Sequence, residues 1–424
     1  MGTLALSRFA LMVSAATVLL AACGGSQPPI GAPGAFPQTP AFWGRTNSTN
    51  YKVAYSFADT TDGSFPVAPV VYVGGTFYGT TEYGGECNTN PTCGTVYSLS
   101  LIGHEKVLYR FASAPDGTYP LAGLTDVGAT FYGTTVVGGS NVCGNRSYYF
   151  SCGTVFSVTP GGSEKVLHSF GNPPDGNFPA AGLINVNGTL YGTTQFGGKG
   201  RKCNFSCGTV FSITMSGKER VLHTFSGTNG GGPVAPLIAV KGKLYGTTET
   251  GGAYNAGTVF SMTLSGKEKV LHSFGNGTDG KEPMAALIDV NGTLYGTTQV
   301  GGANNCYQYT ACGTVFSITP GGKEKVLHVF GGSDGAGPVA PLIEVKGTLY
   351  GTTESGGSYS CGGGGCGTIF SITPNGTETV LHSFGSGTDG ANAYAPLTDV
   401  NGTLYGTTAR GGTHGSGTFF ALSL

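Results

Sequence analysis

The sequence predicts an all-β fold, a seven-bladed β-propeller of four-stranded antiparallel blades whose ring is closed by the N-terminal strand. Three observations predict it. The tetrapeptide Tyr-Gly-Thr-Thr begins at Tyr78, Tyr132, Tyr191, Tyr245, Tyr295, Tyr350 and Tyr405, at intervals of 50 to 59 residues. Such a period marks a solenoid or a propeller and lies close to that of kelch-type blades. Each copy also holds four short β-prone runs, and four antiparallel strands make one blade. Finally, the two ends of the repeat region carry complementary fragments. Residues Tyr51 to Phe57 copy the fourth run alone, and Gly417 to Leu422 copy the third run without its fourth. The first fragment can complete the last blade and remove an open sheet edge, which a parallel β-solenoid would not need.

The elements follow in order. Residues 1–22 read as a lipoprotein signal peptide: Arg8 precedes an apolar stretch, Phe9 to Ala22, that is short for a membrane span and ends in small residues. Its end, Leu20-Ala21-Ala22-Cys23, resembles the lipobox of bacterial lipoproteins, so Cys23 is the expected lipidation site. Acyl chains contribute roughly 0.8 kcal/mol per buried methylene, enough to hold the chain on a membrane with no transmembrane helix. Residues 23–50, rich in Gly, Pro, Ser, Thr and Gln, read as a flexible tether. The single tryptophan, Trp43, falls there.

Residues 51–424 are the expected propeller. In the fifth copy, Ala286 to Val290 and Thr293 to Thr298 flank Asn291-Gly292, a two-residue hairpin signal because both central residues need positive φ. The same slot holds Asn187-Gly188, Lys241-Gly242, Lys346-Gly347 and Asn401-Gly402. A Gly-rich loop follows, then a third run from Gly313 to Thr319, a Gly321-Gly322 turn and a fourth run from Lys325 to Phe330.

The pattern Leu-Tyr-Gly-Thr-Thr, Gly-Gly, Gly-Thr-Val-Phe-Ser and Val-Leu-His-Ser-Phe over residues 51 to 424 resembles the tandem repeat of the choice-of-anchor tandem repeat GloVer-containing bacterial proteins. Members of that family carry the same repeats with different surface anchors. The resemblance implies a repeat fold at the cell envelope and transfers no catalytic residue.

Eleven cysteines become ten once Cys23 is set aside. They fall as Cys87/Cys93, Cys143/Cys152, Cys203/Cys207, Cys306/Cys312 and Cys361/Cys366, each pair inside the loop from second to third strand of one blade. In an exported protein these read as five local disulfides, each closing a short loop and contributing at most about 2 kcal/mol. The two blades without cysteines have the shortest such loops. With the first strand innermost, these loops and those entering each blade share one face, and the tight hairpins occupy the other. That loop face is the candidate binding surface, because binding concentrates in loops on a rigid scaffold. Tyr148, Tyr149, Tyr307 and Tyr309 lie in its clipped loops. The residue after each Tyr-Gly-Thr-Thr adds a ring of Glu82, Val136, Gln195, Glu249, Gln299, Glu354 and Ala409. Glu82, Gln195, Glu249, Gln299 and Glu354 could hydrogen-bond a sugar or peptide, although solvated loop starts would look the same.

Other chemistry is thin. The net charge of −1 and the 10% of charged residues give no basic footprint for nucleic acid or anionic lipid. His168, His223, His272, His328 and His382 share one slot of the fourth strand, filled by Tyr55 and Tyr109 elsewhere, and a residue repeated around a ring reads as packing or hydrogen bonding. Recurrent Asp-Gly pairs at Asp62, Asp116, Asp175, Asp279 and Asp389, with Asp334 alike, read as turns. No zinc-finger spacing, EF-hand loop or sialidase box occurs, so no metal, cofactor or catalytic residue is assigned. The expected role is a membrane-tethered binding or scaffolding propeller for a carbohydrate or protein. The alternative is a polysaccharide lyase or hydrolase using Glu82, Glu249, Glu354 or His414.

Overall fold

The computed structural model describes residues 51–59, 61–85, 93–143, 150–171, 173–199, 207–303, 312–362 and 364–424. The expected signal peptide, Cys23 and the expected tether lie outside them. Among the described residues there is no helix, hence none long and apolar enough to cross a membrane.

Seven four-stranded antiparallel sheets make a seven-bladed β-propeller. Blade five, Ile288–Val290, Thr293–Thr298, Thr314–Ile318 and Glu324–Val329, shows the plan. First strands of neighbouring blades approach one another, which puts them at the centre and the fourth strands at the rim. Tyr51–Ser56 pairs antiparallel with Thr418–Ser423, from Tyr51 opposite Leu422 to Ser56 opposite Thr418, and so supplies the fourth strand of blade seven. The ring is also stitched there by Thr398 Oγ1, which donates to the Val70 carbonyl at 2.8 Å. The hairpin slot behaves as its residues require: Asn291 and Gly292 have φ of 54° and 85°.

The repeated tetrapeptide serves the blade and its seams. Its glycine lies beneath the aromatic of the third strand; a Cβ on Gly296 would come within 2.7 Å of the Phe316 ring. The second threonine shares a hydroxyl hydrogen bond with the third strand, as between Thr298 and Thr314 at 2.9 Å. The first reaches the next blade, as where Thr247 Oγ1 donates to the Ala285 carbonyl at 3.0 Å. The tyrosine packs into the neighbouring blade's core: Tyr295 joins Leu342, Leu349 and Phe370.

Seven apolar clusters result, each built from two adjacent blades. A ring pair crosses each seam, such as Phe330 with Phe370 at 5.1 Å and Phe57 with Tyr97 at 5.1 Å. Burying such a side chain is worth roughly 2 kcal/mol, so the core runs as a closed belt between blades. Disulfides join Cys143 to Cys152 and Cys361 to Cys366. Cys93, Cys207 and Cys312 are disulfide-bonded as well, and their expected partners Cys87, Cys203 and Cys306 lie outside the described residues. Disulfides of this kind suit an extracytoplasmic protein.

Candidate functional site: the loop face

The loop entering each blade and the stretch after Tyr-Gly-Thr-Thr pair briefly in all seven blades, as Ser64 with Tyr83 and Gly117–Thr118 with Val137–Gly138. Within that ribbon one position takes a left-handed backbone: Phe65, Tyr119, Phe178, Glu282 and Asn392 have φ between 56° and 59°, and Gly232 and Gly337 fill the slot in the other two blades. A bulky residue there is unusual, and strain of about 1 kcal/mol or more must be offset by its surroundings. The offset is a pair of backbone bonds. Tyr119 N–H donates to the Cys93 carbonyl at 3.1 Å, and its own carbonyl accepts from Val136 N–H at 3.1 Å; Phe178 does the same with Cys152 and Gln195. The cysteine that closes each clip therefore holds the loop of the following blade. In the unclipped blades Ser416 and Ala256 supply the carbonyl.

These bonds place two rings of side chains on the face, and the rings break the sevenfold symmetry. On one arc, Arg410 lies 5.5 Å over the Phe65 ring. Phe65 meets Tyr83 edge-on at 5.3 Å, Tyr83 meets Tyr119 at 5.5 Å, and farther on Phe178 meets Phe196 at 5.6 Å. The opposite arc is polar. Gln299 Nε2 donates to Glu354 Oε1 at 3.1 Å, Asn392 Nδ2 donates to the Glu354 carbonyl at 2.7 Å, and Glu249 and Glu282 lie in the same stretch. Where the left-handed slot is Gly337, the Glu354 side chain fills the space a Cβ would take. Glu82 is only 6% exposed, and burial lifts its carboxyl to about 7, with the neighbouring Tyr83 hydroxyl opposing the rise. Burial and the Glu354 carboxylate both raise the Tyr394 phenol, with Glu82 adding to the effect.

The expected site residues fare differently. The ring after Tyr-Gly-Thr-Thr is not a set of solvated loop starts: Glu82, Val136, Gln195 and Ala409 are buried, and Glu249, Gln299 and Glu354 are half-buried. The reason is the ribbon pairing, which folds the entering loop over them. Tyr148, Tyr149, Tyr307 and Tyr309 lie outside the described residues. Among the described loop aromatics, Tyr254 at 53% and Tyr359 at 45% are the exposed ones. His414 is exposed and bonded to Thr413 Oγ1 at 3.1 Å. Sequence reasoning missed Phe65, Tyr119 and Phe178; a residue before proline is ordinarily extended, so only the recurrence of X-Pro in this loop could have pointed to them.

It also missed that the repeated histidines and aspartates meet. His168 and Asp175 are 3.1 Å apart, His272 and Asp279 2.9 Å, His328 and Asp334 2.9 Å, and His382 and Asp389 2.8 Å. Tyr55 donates to Asp62 at 2.6 Å and Tyr109 to Asp116 at 2.8 Å. The Asp-Gly motif is therefore more than a turn: it clamps the loop to the preceding fourth strand.

The Gloeobacter/Verrucomicrobia repeat matches residues 145–310 and 307–424. The chain belongs to this family. No curated protein matches it. Solved structures similar to this Gloeobacter/Verrucomicrobia repeat protein are distant. A Xanthomonas campestris gluconolactonase is 13% identical, covering 64% of this chain and 78% of that one, at a TM-score of 0.38. Puromycin hydrolase is 13% identical over 80% of this chain and 49% of that one, at 0.44. A Trypanosoma rangeli sialidase in complex with 2,3-difluorosialic acid is 12% identical over 90% and 58%, at 0.43. Likeness at this distance carries nothing about activity.

Proposed function

We propose that this repeat protein is an exported propeller, held to the bacterial envelope by lipid on Cys23, that binds a carbohydrate through its loop face, a protein ligand being the alternative occupant. One observation carries the reading: the blades repeat closely at their seams but diverge on this face, where edge-paired aromatics stand across from carboxylates and amides. Aromatic rings supply apolar contact area with little entropy loss, and fixed carboxylates and amides accept or donate hydrogen bonds to hydroxyls. The disulfides support export, and the lipobox-like Leu20-Ala21-Ala22-Cys23 supports the anchor.

A screen of immobilised polysaccharides and glycans with the Cys23→Ala protein tests the ligand class. Specific retention supports the reading, and retention of envelope proteins but no glycan moves it to a protein ligand. Labelled fatty acid entering Cys23→Ala as well as the unaltered chain would remove the anchor.

A second reading is favoured by Glu82. A carboxyl raised to about 7 by burial holds a proton near neutral pH, which is what a general acid requires. A polysaccharide-active enzyme would release product in the same screen and lose that release in Glu82→Gln.

A further inference from the structure

The seams between blades carry a third partner besides the imidazole or phenol and the aspartate. A glutamate opens the fourth strand of six blades, and its carboxyl points back at the clamp of the seam before it. Glu105 faces Asp62 and Arg110, and Glu164 faces Asp116 and Tyr109. Glu219 faces Asp175 and His168, Glu324 faces Asp279, and Glu378 faces His328 and Asp334. In two seams, His168/Asp175/Glu219 and His328/Asp334/Glu378, the three groups approach within 4.8 Å of one another. In all six blades the glutamate Oε1 is buried without a hydrogen-bond partner. An ionised carboxylate in that position would be short of donors and would face a second carboxylate whose acceptor positions the histidine or tyrosine and a backbone N–H already use, as in Gly275 N–H to Asp279 at 3.1 Å.

The repeats vary this seam, and the variation shows what it needs. In the seam between blades three and four the aspartate is Asn229. It donates to Glu268 Oε2 at 3.2 Å and to His223 Nε2 at 3.0 Å, so the glutamate there receives a donor and faces no carboxylate. In the last seam the glutamate slot holds Tyr51, stacked on His382 with ring centroids 3.8 Å apart. A divalent cation does not account for the set, because tyrosine at two histidine positions, asparagine at one aspartate position and tyrosine at one glutamate position leave the blades undisturbed. Hydrogen-bond and proton balance does.

We propose that five blade seams each hold a proton on the glutamate in mildly acidic surroundings, on Glu105, Glu164, Glu219, Glu324 and Glu378, so that the ring is tightest there and loosens as the surroundings turn alkaline. Burial, reinforced in all five by the facing aspartate, lifts each of these carboxyls to about 7, against opposing contributions from Arg110 on Glu105, Tyr109 on Glu164, His168 on Glu219 and His328 on Glu378. The sign follows from linkage. The folded protein keeps protons that the unfolded chain releases near pH 4.5, so stability is full below that pH and is lost as pH rises through about 7. The loss reaches the loop face, because each aspartate lies three residues before the left-handed position: Asp116 before Tyr119, Asp175 before Phe178. Weakening the clamp frees the loop that carries the proposed binding residues.

The test is the thermal midpoint of the full chain between pH 5 and pH 8.5, with infrared detection of protonated carboxyl. The unaltered protein should lose on the order of 5 °C across that range and show a protonated carboxyl band at pH 6.5 that fades by pH 8.5. Glu219→Gln, a neutral isostere, should remove about a fifth of both changes, if the seams act independently. Asp175→Asn, which copies the natural Asn229 seam, should remove part of that fifth, because it takes away the facing carboxylate and leaves the burial, and serves if the glutamine variant fails to fold. Glu268→Gln should remove less of the pH dependence than Glu219→Gln, because Asn229 donates to Glu268 and offsets part of the rise that burial imposes there. A midpoint flat from pH 5 to 8.5, or no loss of the carboxyl band in Glu219→Gln, overturns the proposal. So does a midpoint at pH 8 that falls with a chelator and is restored by added zinc, manganese or calcium. None of these readouts depends on the ligand, so they stand apart from the binding reading.

Discussion

The seams and the loop face are built from the same seven repeats and obey opposite rules. At the seams, substitutions from blade to blade preserve one job: tyrosine replaces histidine against aspartate, asparagine replaces aspartate against histidine, and a phenylalanine pair recurs across the junctions. On the loop face the corresponding positions preserve only the backbone. The left-handed slot is filled in turn by Phe65, Tyr119, Phe178, Gly232, Glu282, Gly337 and Asn392, all near the same φ and bearing unlike side chains. Where chemistry repeats, closure of the ring requires it. Where geometry repeats and chemistry does not, the scaffold presents a surface whose composition is free to vary, which is what the proposed binding role requires.

The largest effect should come from the seam that closes the ring. Deleting residues 51–57 removes the fourth strand of blade seven together with Phe57, and the protein should lose its cooperative unfolding transition and aggregate on size exclusion. Next, Gly246→Val places a Cβ 2.7 Å from the Phe260 ring and should cost about 2–3 kcal/mol by overpacking, read from denaturant melts. A gain is expected at Tyr97. It takes the place phenylalanine holds in the other blades, and its hydroxyl is buried without a partner. Tyr97→Phe should therefore stabilise by about 1 kcal/mol. The smallest stability effect should be on the loop face. Phe65→Gly relieves the left-handed backbone but loses the contacts with Tyr83 and Arg410, so stability should change by less than about 0.5 kcal/mol while retention on glycan falls. If Phe65→Gly instead unfolds the blade, the face belongs with the seams and the comparison fails.

The fold was legible because its signal is repeated seven times. The hairpin pairs, the four runs per copy and the matching fragments at Tyr51 and Gly417 each stand in plain sequence and depend on neighbours only a few residues away. The Cys143–Cys152 and Cys361–Cys366 clips were legible for the same reason. The proton clamps were not, since Asp175 is seven residues from His168 but 44 from Glu219, which lies in the next blade, and nothing local ties the three. The left-handed slot was hidden by a local rule that tertiary bonds override: the Cys93 and Cys152 carbonyls hold Tyr119 and Phe178 in a conformation their own proline neighbours disfavour. Glu82 was singled out as a candidate, but its burial beneath the paired ribbon could be seen only once the entering loop was in place.

The central claim, that the divergent face and not the repeated seams recognises the ligand, is tested most directly by affinity for the glycan the screen retains. Unaltered protein would be compared with Tyr83→Ala, Tyr119→Ala and Glu354→Gln on the face, and with Glu219→Gln at a seam. The account predicts that each face variant weakens binding by about tenfold or more, roughly 1.4 kcal/mol, with unchanged melting, and that the seam variant binds as the unaltered protein does at pH 6. Face variants that bind normally, or a seam variant that alone abolishes binding at that pH, would contradict it.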